Sequence, residues 1–200
     1  MHSSGAVKLA DFIRALPDLN LNPPKRQSYG HMGATLTDAV LQSGLNYRTV
    51  VYPRVRGVME RFPFATSTAA FWTVLETHTP ATVLDWSHPE KLRRLLELAS
   101  LLLDREVQTE NDLSYWILVP GNAEVLLSVK GIGRKTVDYL KLLSGIPTIA
   151  VDRHVQKLVA MAGVDAKTYD EVRSLVLESA EIMKVEPAAL DSCLWRHLSR

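Results

Sequence analysis

The chain has 200 residues, 46% of them hydrophobic and 22% charged, a balance ordinary for a globular protein of one large domain or two small lobes sharing a core. A net charge of +1 singles out no partner, and the one cysteine, Cys193, excludes an internal disulfide, a cysteine-based zinc site and an iron–sulfur cluster, leaving Cys193 as a small core residue. No apolar run approaches a bilayer span, no repeat recurs at solenoid spacing, and residues 1–7 lack the basic and apolar regions of a signal peptide, so a cytoplasmic protein is expected.

Caps and apolar stripes predict an all-α chain of about ten helices. Residues 7–15 read as a first short helix, followed by a polar connection through Asn22, Pro23 and Pro24. A helix is expected over 36–42 and another over 47–61, where Pro53 marks a kink or a restart. Ser67 or Thr68 caps a helix through Glu76, and Thr79 before Pro80 opens the next. Ser87, His88, Pro89 and Glu90 read as a capping box, and the helix behind them carries Leu92, Leu95, Leu96, Ala99, Leu102 and Leu103 on one core stripe. Residues 112–118 form a short helix stopped by Pro120 and Gly121, and Asn122 caps residues 123–129. Lys130, Gly131, Ile132 and Gly133 then precede a helix over 134–144 closed by Gly145. Asp152 caps residues 153–162, Thr168 and Glu171 make a second capping box for a helix to Lys184, and Pro187 starts the last helix, with Leu194 and Trp195 in the core.

Charge is unevenly spread. Lys130, Arg134, Lys135, Lys141, Arg153 and Lys157 stand against Asp138 and Asp152, and Arg48, Arg54, Arg56 and Arg61 against Glu60. Each patch suits a phosphate backbone or a solvated helix face.

The chemistry concentrates at the glycine pair. Gly131 and Gly133 allow a tight turn and close approach of a ligand to the backbone. The helix that follows points its free N–H groups and dipole into that turn, which suits a phosphate held without sequence reading. Ile132, between the glycines, would pack or press against the sugar–phosphate surface.

The stretch from Leu127 to Thr136, with Gly131, Ile132, Gly133, Arg134 and Lys135, resembles the helix–hairpin–helix of the DNA glycosylase superfamily, endonuclease III above all. The stretch from Ile146 to Val155 resembles that family's catalytic-aspartate segment, and Asp152 follows Lys135 by 17 residues. The likeness is strongest over 125–159 and is traceable over 36–195. It implies two helical lobes, residues 37–147 in one and residues 1–36 with 148–200 in the other, with Lys135 and Asp152 facing the cleft. It also implies a double-stranded DNA partner carrying a lesion, a monomer with no membrane association, and a place on the nucleoid if the source is bacterial.

The residue types suit that chemistry on their own terms. A carboxylate such as Asp152 can stabilise the positive sugar of an N-glycosidic transition state or activate the attacking group. A deprotonated amine such as Lys135 can attack the sugar carbon and form a Schiff base that permits strand cleavage by β-elimination. Lys135 can equally touch phosphate and Asp152 can be only a cap, while His154 reads as structural. The catalytic candidates are thus Lys135 and Asp152. The DNA-binding candidates are Gly131, Ile132, Gly133, Arg134 and Thr136 at the hairpin, and Gln42, Leu45 and Asn46 where the family carries its wedge.

Two departures stand out. The sequence ends at Arg200, where the family's four-cysteine loop would begin, so no iron–sulfur cluster and no other cofactor is expected, beyond a possible cation on the hairpin carbonyls. Leu45 stands where the family often has Gln; it can fill the space of a flipped base but cannot hydrogen-bond the orphaned partner, for which Gln42 and Asn46 are nearby substitutes. Tyr47 can stack on a flipped base or sit in the core. Three readings follow: a bifunctional glycosylase and AP lyase, a monofunctional glycosylase in which Asp152 activates water, and a non-catalytic helix–hairpin–helix DNA-binding module.

Overall fold

The computed structural model describes residues 2–21 and 28–198; the connection through Asn22, Pro23 and Pro24 lies outside them. Among the described residues the chain is all helical, with twelve α-helices, one π-helical turn and no strand. The helices are α1 (Ser4–Arg14), α2 (Met32–Leu41), α3 (Tyr52–Arg61), α4 (Thr68–Thr77), α5 (Pro80–Leu84), α6 (Pro89–Asp104), α7 (Glu110–Leu118), α8 (Asn122–Leu127), α9 (Arg134–Leu143), α10 (Arg153–Met161), α11 (Tyr169–Met183) and α12 (Pro187–Leu198). They group into a terminal unit, Met1–Arg26 with Ile146–Arg200, and a central unit, Gln27–Gly145. The sequence places the boundaries at 36/37 and 147/148. The first differs because α2, which begins at Met32, is the buried axis of the central unit.

Every residue of α2 is buried, including Thr35, Thr37 and Asp38 among its mostly apolar side chains. It packs against α3, α4, α6 and α9. The one charge in this apolar segment is Asp38, which is fully buried. The Tyr29 hydroxyl donates to it at 2.8 Å and the Tyr139 hydroxyl reaches both its oxygens at 3.1 Å. Burial, then the adjacent Asp38 carboxylate, hold the Tyr29 hydroxyl well above its ordinary pKa, so it remains a donor. Glu110, also buried, ties the start of α2 to α7 by accepting from the Gly30 amide at 2.9 Å and from the Thr35 hydroxyl.

The terminal unit has its own core. α1 packs on α11, and α12 on α10 and α11, around Leu9, Ile13, Leu158, Val176, Leu190 and Leu194. The Ser179 hydroxyl donates to the Ala6 carbonyl at 3.0 Å, and the buried Cys193 thiol donates to Asn20 at 2.7 Å; burial raises that thiol's pKa.

Several local readings need correction. Residue 88, not 87, caps α6, and its side chain makes no cap hydrogen bond, so there is no capping box. The buried positions of α6 are Leu95, Leu98, Ala99 and Leu102, while Leu92, Leu96 and Leu103 lie at the stripe's margins. Gly121, with positive φ, caps α8, and the Asn122 side chain instead donates to the Trp116 carbonyl at 2.8 Å. Residues 47–61 restart rather than run through: a π-helical turn over Tyr47–Val51 gives way to α3, with Pro53 in its first turn where the missing N–H costs nothing. Trp195 is exposed, whereas Leu194 is core. The capping box of Thr168 and Glu171 is present with both bonds.

Candidate functional site

The hairpin follows from α8, Val129 and two glycines. Val129 is buried and its carbonyl accepts from the Ile132 amide at 2.9 Å, closing the turn. Gly131 has φ +87°, a conformation natural to glycine, and a Cβ there would run into the Arg94 guanidinium. Gly133 is extended (φ −108°, ψ 176°), and the space where its Cβ would stand is open. Its carbonyl accepts from the Thr136 and Val137 amides and starts α9, whose first N–H groups have no partner within the helix. Gly131, Gly133 and Arg134 are exposed.

Ile132 and Thr136 are buried, at 4% and 6% exposure. Both were expected at a DNA surface, but their side chains face inward and hold the hairpin to its unit. Three of the hairpin carbonyls accept hydrogen bonds from within the protein. That of Lys130 accepts from Arg93 at 3.2 Å and from Arg94 at 3.3 Å, and those of Val129 and Gly133 already serve backbone amides. Among the described residues no group of three or more His, Cys, Asp or Glu side chains is placed to hold a metal ion.

Lys135 sits in the first turn of α9, half-buried, and its ammonium donates to Gln42 Oε1 at 3.0 Å. That bond fixes the amide orientation, leaving Gln42 Nε2 as a buried donor without a protein partner. Lys135 and Tyr139 on α9 thus meet Gln42 and Asp38 on the antiparallel α2 in two successive rungs, each spaced four residues. Beside them Lys91, on α6, donates to the carbonyls of Val40 at 2.9 Å, Leu41 at 3.4 Å and Ser43 at 2.9 Å. Burial, then the Arg94 and Lys135 cations, push its pKa down to about 8.

The wedge candidates divide by task. Gln42 holds Lys135. Asn46 Oδ1 accepts from the Thr49 amide at 3.0 Å and so caps the π-helical turn. Leu45, half-buried, has only apolar surface to offer. Tyr47 is half-buried, its hydroxyl 3.2 Å from that of Tyr29 and its ring 6.2 Å from Tyr52. In the terminal unit, Asp152 Oδ1 accepts from the His154 amide at 2.8 Å and the Val155 amide at 3.1 Å, and so caps α10. The carboxylate is half-buried and fixed in place.

Arg54 and Arg61 of the Arg48–Arg61 patch serve the fold, and Arg56 makes an exposed pair. Arg54 donates to the carbonyls of Val50 and Asp85 and lies 5.1 Å from the Trp86 ring centre; Arg61 donates to Gly57, Thr82 and Val83; Arg56 pairs with Glu60 at 2.5 Å. A groove lined by Trp72, Leu96, Leu101 and Val125 holds none of the candidate residues. Sequence reasoning missed Lys91, Arg93 and Arg94. It also missed Asp38, although a lone carboxylate in an apolar segment is a legible sign of a buried, partnered charge.

These observations define an all-helical protein with a helix–turn–helix hairpin whose second helix carries an amine in its first turn. Residues 89–199 match the model of a family described as a domain of unknown function, DUF8548, and the chain belongs to that family. It is also similar to an Endonuclease III of Treponema pallidum (strain Nichols), 34% identical over 80 residues; these are 40% of this chain and 34% of that protein, so the match spans about a third of the relative's length. No solved structure matches. No helix among the described residues is long and apolar enough to cross a membrane.

Proposed function

We propose that this protein is a DNA glycosylase of base excision repair with AP lyase activity, an endonuclease III-like helix–hairpin–helix enzyme that removes a damaged or mispaired base from duplex DNA. The observation that carries the reading is Lys135: an amine in the first turn of the helix behind the hairpin, held by a neutral amide rather than by an acid. The partial likeness to an endonuclease III supports the same class.

In this reading the open backbone of Gly131 and Gly133, with the N–H groups at the start of α9 and the Arg134 side chain, binds phosphate. Leu45 fills the space of the flipped nucleotide. The Lys135 ammonium first gives a proton to solvent, and its neutral amine attacks the deoxyribose C1′ as the base leaves with the glycosidic electron pair and takes up a proton from solvent. Loss of the ring oxygen bond gives an imine, and β-elimination then breaks the bond from carbon to the 3′ oxygen. Asp152, held as a cap, stabilises the positive sugar. The buried unpaired Nε2 of Gln42 supports a ligand at this place, since an unmet donor costs about 1–3 kcal/mol.

The test is a panel of duplexes, each with one lesion, assayed for base release and strand nicking. Release with nicking on at least one lesion is expected. Release without nicking makes the enzyme monofunctional, and neither on any lesion leaves a DNA-binding module.

A further inference from the structure

We infer that Lys91 is a positioning residue: its charged ammonium pins the end of α2 and thereby sets the place of both the Lys135 amine and the turn that carries Leu45. The inference rests on the reading of Lys135 as the nucleophile.

The last carbonyls of a helix lack intrahelical partners and carry its negative end. At α2 the Lys91 side chain, from another helix, meets the last two of them. Lys91 reaches the carbonyls of Val40, Leu41 and Ser43, which flank Gln42 on both sides. The Gln42 amide continues the helix by donating to the Asp38 carbonyl at 2.9 Å, and one ammonium holds the carbonyls on either side of it, while the Gln42 side chain holds the amine of Lys135. Ser43 is also the first residue of the turn leading to Leu45 and the Asn46 cap. One group thus ties the attacking amine and the wedge turn to the same frame.

The arrangement is specific to the protonated form. An ammonium has three hydrogens for three acceptors, whereas the neutral amine has two. The charged groups facing Lys91 are both cations, Arg94 from its own helix and Lys135 from α9, and α2 presents only carbonyls. Together with burial they let the proton leave at about pH 8, well below an ordinary lysine. Positioning therefore weakens as pH rises through that value.

The experiment measures single-turnover borohydride trapping on an abasic duplex across pH, alongside affinity for undamaged duplex and thermal unfolding. Wild type is expected to trap, with trapping declining above about pH 8. Lys91→Met should slow trapping about tenfold to a hundredfold, the usual result of a small misplacement, with undamaged-duplex affinity held by the hairpin. Lys91→Arg keeps charge and donors, so it should recover most of the rate and move the alkaline decline upward. Trapping by Lys91→Met at the wild-type rate overturns the inference, as does a parallel loss of duplex affinity, which marks a general structural role. If Lys91→Met does not fold, the pH profile of Lys91→Arg decides, and an unchanged alkaline limb overturns it. A wild type that never traps defeats the reading of Lys135, and this inference with it.

Discussion

The two hairpin glycines have different tasks, and alanine at each should separate them. At Gly131, with φ +87°, an alanine enters the left-handed region at about 1–2 kcal/mol. Its Cβ also displaces the Arg94 guanidinium from the Lys130 carbonyl, a bond worth about 0.5–1.5 kcal/mol, although Arg93 still serves that oxygen. Gly131→Ala should therefore lose about 2–3 kcal/mol, or about 4–12 °C in Tm for a chain of this size. At Gly133 the backbone is extended and the space is open, so Gly133→Ala should stay within about 0.5 kcal/mol of wild type. Its methyl group stands where a phosphate must approach, and duplex affinity should fall about tenfold, or 1.4 kcal/mol, equally for all sequences. Thermal unfolding and fluorescence anisotropy at two salt concentrations measure both. A Gly131→Ala protein as stable as wild type refutes the conformational argument, and unchanged affinity in Gly133→Ala refutes the hairpin as DNA anchor.

Asp152→Asn keeps an accepting oxygen for the His154 and Val155 amides, so its Tm should hardly move while base excision drops strongly; Asp152→Ala should in addition lose about 1 kcal/mol of stability. Equal excision by wild type and Asp152→Asn would leave Asp152 as a cap only. Tyr139→Phe removes one of the hydroxyls that meet the buried Asp38 and should cost about 1–3 kcal/mol in denaturant unfolding; an unchanged midpoint would count against that account of the α2 axis. Leu45→Ala should slow excision most on well-paired targets and least on mismatched ones, where flipping is easier, and an equal effect on both would remove Leu45 as the wedge.

Local features were the legible ones. The Asp152 cap, the Thr168–Glu171 box and the turns at Gly131 and Gly145 are each settled within four residues, and the sequence pattern found them. What escaped it depends on segments far apart in the chain. Lys91 finds its carbonyls about 50 positions away, and Lys135 finds Gln42 93 positions away. No local periodicity carries such pairings. Ile132 and Thr136 were read as ligand contacts from their place in a motif, yet a hairpin must also be anchored, and their buried side chains do the anchoring. The arginines of α3 show the same limit for charge: Arg54 and Arg61 meet carbonyls and aromatic rings of the fold, while Arg56 pairs with Glu60 on the exposed surface.

The central claim is that the Lys135 amine becomes covalently joined to an abasic sugar, and peptide mapping tests it most directly. The protein is incubated with an abasic-site duplex, reduced with borohydride and digested, and the residue carrying the sugar is identified by mass spectrometry. The account predicts a single adduct on Lys135, absent from Lys135→Gln. An adduct on another lysine, such as Lys91, or no adduct at all under conditions where the duplex is bound, would contradict it.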